Sequence, residues 1–206
     1  MIALIDYGAG NLRSVQNALI RLGTAGVIAT GPDDLAQAKA VIFPGVGAAG
    51  PAMAALREQR LERAILDAID RGIPMLGICL GLQLLFERSA EDGAICLGAF
   101  PGTVERLETT EKLPHVGWNT LELVRPHPVL QGMDGEAVYF VHSYVAVPRD
   151  PAVGVAETTH GVRFTSAIGV GSLVGVQFHP ERSGAAGLRL LENFLDFARV
   201  RRFNAA

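Results

Sequence analysis

The fold of this chain is decided by residues 73–86, which read IPMLGICLGLQLLF. Ile73–Ile78 form an apolar run that predicts a buried strand, and Leu80–Phe86 carry the spacing of a helix. Cys79 lies at the tight turn between the two. A buried strand that turns directly into a helix is a building unit of helix-covered parallel sheets, so this stretch indicates an α/β fold.

Cys79 has a glycine two positions to either side, Gly77 and Gly81, which is the cysteine version of the G-x-S-x-G nucleophile elbow. Such a turn strains the backbone of its central residue, and small flanking residues let the chain segments pass. The N-terminus of the following helix favours a thiolate over a thiol. A lone cysteine in an apolar stretch is more often a small buried hydrophobe, but the two glycines and the strand–helix context favour a nucleophile.

The first half of the chain alternates apolar strands and helices. Strands are predicted at Ile2–Ile5, Val27–Thr30 and Ala40–Phe43. Helices are predicted for residues 12–22, capped by Asn11, and for a long segment from Pro51 to about Arg71. Fully apolar strands joined by helices predict a mostly parallel central sheet with helices on both faces.

After about Asp92 the pattern changes to short strands with Gly-, Pro- and His-rich connections, which predicts an added antiparallel or mixed sheet. These strands are expected at Val104–Leu107, Thr120–Leu123, Ala137–Tyr144, Arg163–Val170 and Ser172–Phe178. A final helix is predicted at about Gly184–Arg201. Because there is no linker or repeat, we expect residues 1–206 to form a single domain.

The composition argues against several classes of function. A net charge of −3 gives no electrostatic footprint for nucleic acid, and no apolar run reaches membrane-spanning length. The first residues, Met1–Asp6, lack the basic region of a signal peptide. Two cysteines outside any CxxC pair and five histidines without ligand spacing argue against a disulfide framework or a metal site. We therefore expect a cytoplasmic protein with no metal and no cofactor.

A cysteine nucleophile needs a base, and the base needs an orienting group. Residues 175–181, GVQFHPE, place His179 at the end of an apolar strand and Glu181 two residues later. Residues i and i+2 of an extended chain project to the same side, so the carboxylate can orient the imidazole. Taken alone, the pair is more typical of a surface loop; the strand-end position and the elbow favour catalysis.

Residues 44–47, PGVG, follow the predicted strand Ala40–Phe43. In a parallel sheet they are expected beside the elbow, at the carboxyl edge where such sites form. The backbone N–H of Val46, paired with that of Leu80, would then serve an oxyanion. Glycine turns are common in a chain with 24 glycines, so this motif is weak by itself.

Residues 77–83, GICLGLQ, and the downstream HPE of residues 179–181 resemble the signature of the triad-type class I glutamine amidotransferases. More narrowly, the chain is similar to the glutaminase subunits of imidazole glycerol phosphate synthases, on motifs more specific than the triad. These motifs are DYGAGN at 6–11, PHVGWN at 114–119 and YFVHSY at 139–144. The resemblance implies a flavodoxin-like fold.

The resemblance also implies roles for individual residues. Cys79 would attack the carboxamide carbon of glutamine, His179 would act as base and then as acid, and Glu181 would orient His179. The oxyanion would be held by the amides of Val46 and Leu80. Glutamine would be bound by Gly47, Gln83, Glu91, Ser143 and Tyr144. From the sequence alone, Glu91 is equally typical of a solvated residue at a helix end.

In the family, the partner is a separate cyclase subunit, so the resemblance implies a heterodimer. Ammonia would cross the interface, shielded from protonation by water. The cyclase would then form imidazole glycerol phosphate and an aminoimidazole carboxamide ribotide in histidine biosynthesis. Asn11, Trp118 and Tyr139 are expected near this interface, with packing in the core as an equal alternative for Trp118.

Two other interpretations remain open at this point. The same elbow and triad occur in glutaminase subunits of pyridoxal phosphate, anthranilate and aminodeoxychorismate synthases. The chain could also be a stand-alone cysteine hydrolase of the same fold, or an inactive binding module.

Overall fold

A computed structural model describes residues 1–200, which form one large sheet and one small sheet with helices packed around them. The strands are β1 (Ile2–Ile5), β2 (Gly26–Ala29), β3 (Ala40–Gly45), β4 (Met75–Cys79), β5 (Phe86–Ser89), β6 (Phe100–Arg106), β7 (His115–Thr120), β8 (Glu122–Leu123), β9 (Ala137–His142), β10 (Tyr144–Pro148), β11 (Gly154–His160), β12 (Val162–Val170) and β13 (Leu173–Val176). The helices are α1 (Leu12–Arg21), α2 (Pro32–Ala36), α3 (Ala49–Glu58), α4 (Leu61–Asp70), α5 (Leu80–Leu84) and α6 (Gly184–Phe197).

The central part of the large sheet is parallel, in the order β2-β1-β3-β4-β13. Beyond β13 the sheet continues through β12, β10 and β6 with antiparallel pairing, and β5 joins β6 in parallel. Within residues 1–200 the separate two-stranded sheet consists of β7 and β9. The predicted α/β class with an added antiparallel part is confirmed, and most of that part extends the central sheet.

Alternation along β1 shows how the two faces of the sheet are covered. Ile2 and Leu4 face the same side as α1 and α6. Ala3 and Ile5 face the opposite side, which is covered by α2 to α5. Because side chains alternate along a strand, a strand that is apolar at every position must be buried on both sides. Within residues 1–200, no helix has both the length and the apolar character needed to cross a membrane.

The prediction of one helix from Pro51 to Arg71 is wrong, since the segment forms α3 and α4 with a break at Arg60, whose φ is 58°. The buried face of α3 is formed by residues 49, 52, 53 and 56. Continuing that helix would turn Arg60 and Arg63 toward the same buried face. The break instead lets Leu61 and Ile65 face inward.

The helix after the elbow is shorter than the predicted Leu80–Phe86. It ends at Leu84, because β5 begins at Phe86. The ring of Phe86 packs against that of Phe100 in β6, with 5.7 Å between the ring centroids. The predicted strand Ala137–Tyr144 is likewise divided into β9 and β10 at Ser143. The final helix ends at Phe197, and Arg201 lies outside the described residues. At the end of α5, the pairing of β5 with β6 overrides the local helical pattern.

Because the elbow packs tightly against the adjacent strand, we expect Gly81→Ala to lower the free energy of unfolding. A Cβ at Gly81 would overlap the carbonyl oxygen of Phe43 on the adjacent strand. We expect a loss of about 2–3 kcal/mol in the free energy of unfolding, measured by urea denaturation. Gly31→Ala is the matched control, because a Cβ at Gly31 meets nothing within 4 Å. Equal losses in the two variants would contradict this packing.

Candidate active site

Strand β4 ends at Cys79 and α5 begins at the next residue, so the cysteine occupies the turn itself. Its φ of 53° and ψ of −110° are unusual for a residue with a side chain, and such strain is found where a site over-determines the backbone. A Cβ on Gly77 would meet the backbone of Leu82, and one on Gly81 would meet that of Phe43. Both glycines are therefore required by the tightness of the turn.

His179 reaches the same edge of the sheet because β13 runs parallel to β4, with Val176 opposite Ile78. Its Nδ1 lies 2.8 Å from Oε1 of Glu181, and both side chains are only 3% exposed. Burial lowers the pKa of His179, but its interactions with Cys79 and Glu181 outweigh burial and raise the pKa to about 10. Within residues 1–200, Nε2 has no hydrogen-bond partner. The imidazole is thus anchored at Nδ1, whereas its buried Nε2 is left to exchange a proton with a bound group.

The segment 44–47 lies beside the nucleophile. Parallel pairing of β3 with β4 places Gly45 directly opposite Cys79, and Val46 and Gly47 line the same cavity as the sulfur. Gly47 has a φ of 94°, a conformation that glycine adopts readily. A Cβ on Gly45 would overlap the hydroxyl of Tyr7, so the close approach of this segment also depends on a glycine.

A cavity of about 160 Å³ collects the predicted residues. All of those predicted for catalysis, the oxyanion and glutamine binding line it, except Glu181, which supports His179 on its other ring nitrogen. Two lining residues were not predicted, Val141 and His142. They directly precede Ser143 and Tyr144, the two residues of the segment 139–144 that were expected to bind glutamine.

Gln83 is engaged with the protein rather than fully open to a ligand. Its Nε2 donates hydrogen bonds to the carbonyl oxygen of Tyr144, at 2.9 Å, and to Oε1 of Gln177, at 3.0 Å. An amide nitrogen carries two hydrogens, so a polar contact from Gln83 to glutamine would come from its own Oε1. The Tyr144 backbone is held in place by the same side chain.

Glu91 also lines the cavity. Burial raises its pKa, and the hydrogen bond from the backbone N–H of Ala49, at 3.2 Å, offsets part of that effect. The carboxylate therefore also satisfies an amide at the start of α3. It is half-buried, which differs from the solvated residue that the sequence alone allowed.

A chain of hydrogen bonds reaches the Tyr144 carbonyl from the other side. Nδ1 of His142 lies 3.0 Å from this oxygen, Nε2 of His142 lies 3.1 Å from Nδ1 of His115, and Nε2 of His115 lies 3.2 Å from Nδ2 of Asn119. A carbonyl can only accept, so each neutral ring must donate from Nδ1 and accept at Nε2. The Tyr144 carbonyl oxygen therefore fixes the donor and the acceptor of every hydrogen bond in this row.

These histidines predict acid sensitivity. Burial, with nearby imidazoles, lowers the pKa of His115 to about 4 and that of His142 to about 3, from an ordinary value of 6.5. As the pH falls below 6.5, the unfolded chain therefore takes up protons that the folded chain does not, and the free energy of unfolding decreases. We expect urea-unfolding midpoints to fall between pH 6.5 and 4. His115→Gln should flatten this dependence, and an unchanged slope would contradict it.

The three residues predicted for a partner interface lie outside the cavity. Trp118 is 59% exposed, which excludes packing in the core, and it stands opposite Tyr139 in the β7–β9 sheet with ring centroids 6.3 Å apart. The guanidinium of Arg182 lies 4.2 Å from the centre of the Tyr139 ring. Asn11 caps α1, its Oδ1 accepting from the N–H of Ser14.

A larger hollow of about 1200 Å³ lies elsewhere on the surface, between β10, β12 and residues 105–113. Its lining includes neither Cys79 nor His179. We therefore assign the chemistry to the smaller cavity, because that is where a nucleophile, a base and glycine-rich backbone meet.

Comparison with known proteins decides the family. The model of the family described as glutamine amidotransferase class-I matches residues 3–197.

The chain belongs to this family.

Two similar relatives of this class I glutamine amidotransferase are described as imidazole glycerol phosphate synthase subunit HisH. The one from Dehalococcoides mccartyi (strain ATCC BAA-2266 / KCTC 15142 / 195) is 47% identical over 200 residues, covering 96% of this chain and 98% of the relative. The one from Moorella thermoacetica (strain ATCC 39073 / JCM 9320) is 48% identical over 200 residues, covering 96% and 95%. The similarity thus runs along nearly the whole of both chains.

Solved structures agree on the fold. A crystal structure of a glutamine amidotransferase superposes with a TM-score of 0.76 at 22% identity, covering 97% of this chain and 100% of the other. The structure of PurLQS from Thermotoga maritima gives a TM-score of 0.78 at 19% identity, covering 95% and 97%. At these identities the likeness concerns the fold.

Proposed function

We propose that this chain is the glutaminase subunit of an imidazole glycerol phosphate synthase. It hydrolyses glutamine to glutamate and ammonia, and it delivers the ammonia to a cyclase subunit for the synthesis of imidazole glycerol phosphate in histidine biosynthesis. The observation that carries the proposal is the identity of 47–48% to HisH subunits along nearly the full length of both chains. The cavity at Cys79 supplies groups that suit this chemistry.

The reaction would proceed by acyl transfer. The Cys79 thiolate attacks the carboxamide carbon, and the oxyanion that forms is held by the backbone N–H groups of Val46 and Leu80. Protonated His179 gives its proton to the leaving nitrogen, so ammonia departs and a thioester remains. Water, deprotonated by His179, then attacks the thioester, releasing glutamate and restoring the thiolate. One glutamine and one water give one glutamate and one ammonia.

Glu181 would keep the imidazole in the productive orientation. Its carboxylate accepts the Nδ1 proton at 2.8 Å, which leaves Nε2 to exchange the catalytic proton. A buried carboxylate also stabilises the imidazolium that alternates with the neutral ring. Burial of both side chains strengthens this interaction by excluding water.

The outer face of the β7–β9 sheet supports a protein partner. Val116 and Trp118 are 56% and 59% exposed, and Val141, which pairs with Val116, lines the cavity. An exposed apolar surface rimmed by polar groups is typical of an interaction site, and here it is continuous with the cavity. A cyclase bound on this face would receive ammonia before water could protonate it. We also propose a cytoplasmic location, which the two free cysteines support.

The test is glutamine hydrolysis by the purified chain, measured as glutamate release, with and without the cyclase subunit and its substrate. We expect weak hydrolysis by the chain alone and strong stimulation by the loaded partner. Full activity without a partner would contradict gated delivery and favour a stand-alone hydrolase. Co-purification with a chorismate-using enzyme or with a pyridoxal phosphate synthase, rather than with a cyclase, would replace the proposed partner.

A further inference from the structure

The side chain of Gln177 lies against the reacting sulfur. It directly follows β13, it is fully buried, and its Nε2 is 3.6 Å from Sγ of Cys79. The Cys-His-Glu mechanism gives this residue no role. A buried amide is costly unless both ends find partners, so its direction toward the sulfur requires an explanation.

The orientation of this amide follows from a backbone carbonyl. Nitrogen and oxygen of a glutamine amide are distinguished by their hydrogen-bond partners. The Tyr144 carbonyl can only accept, so the atom of Gln83 that faces it is the NH₂ group. The same NH₂ group faces Gln177, which must answer with its oxygen. The remaining end of Gln177, the one that faces the sulfur, is therefore the N–H donor.

A donor at this position distinguishes the thiolate from the thiol. A thiolate accepts hydrogen bonds strongly, whereas a thiol sulfur accepts them weakly. Besides its interaction with His179, Sγ has within residues 1–200 one further polar contact, the Val141 carbonyl at 4.0 Å, which accepts and so favours the protonated thiol. Helix α5 has only five residues, so its dipole contributes little at Cys79. Of these two neutral contacts of Sγ, the N–H of Gln177 is the one that favours ionisation.

We propose that Gln177 is a further catalytic residue, which stabilises the Cys79 thiolate through a donated N–H bond, and that Gln83 is its positioning residue. This inference rests on the proposed role of Cys79 as the nucleophile. Gln83 then links two parts of the site, since one of its hydrogens orients Gln177 and the other holds the Tyr144 backbone.

The experiment measures the rate of alkylation of Cys79 by iodoacetamide as a function of pH in the full-length chain. The two cysteines fall in separate tryptic peptides, 72–88 and 89–106, so mass spectrometry distinguishes Cys79 from Cys96. Gln177→Met and Gln177→Leu replace the amide side chain with an apolar side chain of similar size. Ser166→Ala is the matched control, because the Ser166 carbonyl accepts the backbone N–H of Gln177 and its hydroxyl does not touch the sulfur.

We expect the midpoint of the alkylation profile to rise in both Gln177 variants, with the rate at neutral pH falling about tenfold, as for one lost hydrogen bond to a charged group. Gln83→Met should shift the midpoint in the same direction by less, and Ser166→Ala should leave it unchanged. A purely structural role for Gln177 would change the limiting rate at high pH and leave the midpoint in place.

A wild-type midpoint in whichever Gln177 variant folds, as checked by circular dichroism, would overturn the proposal. The readout needs neither glutamine nor a partner, so it is separate from the proposed function. If the midpoint shifts in the Gln177 variants but the wild-type chain does not hydrolyse glutamine with its partner, the role of Gln177 stands and glutamine is not the substrate.

Discussion

Cys79→Ala is expected to reduce glutamine hydrolysis, assayed in the presence of the cyclase subunit, by about 10⁴-fold or more. The sulfur forms the thioester, and no other group of the described cavity can replace it. His179 and the oxyanion segment remain, but without a nucleophile they can only assist direct attack by water. Glutamate release under saturating glutamine measures this loss.

Two controls accompany this variant. Cys96→Ala removes the other cysteine, which is buried away from the cavity and whose pKa burial raises to about 11; it should retain the wild-type rate. Synthesis by the partner from added ammonium salt should also survive Cys79→Ala, because the cyclase site is untouched. If glutamine-dependent synthesis persisted in Cys79→Ala, the assignment of the nucleophile would be wrong.

Glu181→Gln is expected to lower kcat by about 10³- to 10⁴-fold with a smaller change in KM. The amide is nearly the same size as the carboxylate, but it is neutral and can present N–H to Nδ1 of His179, which reverses the tautomer. The carboxylate is also one of the groups that raise the pKa of His179. The variant should therefore show a lower pKa for this imidazole in a nitrogen-15 NMR titration, alongside the loss of rate.

Glu136→Gln is the matched control for this change. Glu136 also forms an ion pair, with Arg189 at 2.8 Å, but both side chains are well exposed. Surface pairs contribute little, so we expect wild-type kinetics. A Glu181→Gln enzyme with the wild-type kcat would mean that the 2.8 Å contact to His179 has no part in the reaction.

Features that depend on local pattern could be predicted from the sequence. Strand β1 has the predicted bounds, Ile2–Ile5, because four consecutive apolar residues before a polar one indicate a strand buried on both faces. Asn11 caps α1 as expected, since its side chain accepts from the first turn. The position of residues 44–47 beside Cys79 followed from the parallel sheet, which brings the ends of neighbouring strands to one edge.

Features that depend on contacts between distant segments could not be predicted in the same way. The end of α5 at Leu84 is decided by the pairing of β5 with β6, which local helical spacing does not reveal. The amide of Gln177 meets the sulfur of Cys79 across 98 positions of sequence. His142 belongs to a motif that indicated a partner, and nothing in its spacing showed that its ring would hold the Tyr144 carbonyl.

The most direct test of the account is covalent labelling of the chain by a glutamine analogue that carries an electrophilic diazoketone in place of the carboxamide. Mass spectrometry of the tryptic digest locates the adduct. The account predicts a single adduct on Cys79 in the peptide 72–88, formed more slowly when glutamine is present. An unlabelled Cys79, or labelling that glutamine does not slow, would contradict the claim that this cavity binds glutamine and that its sulfur is the nucleophile.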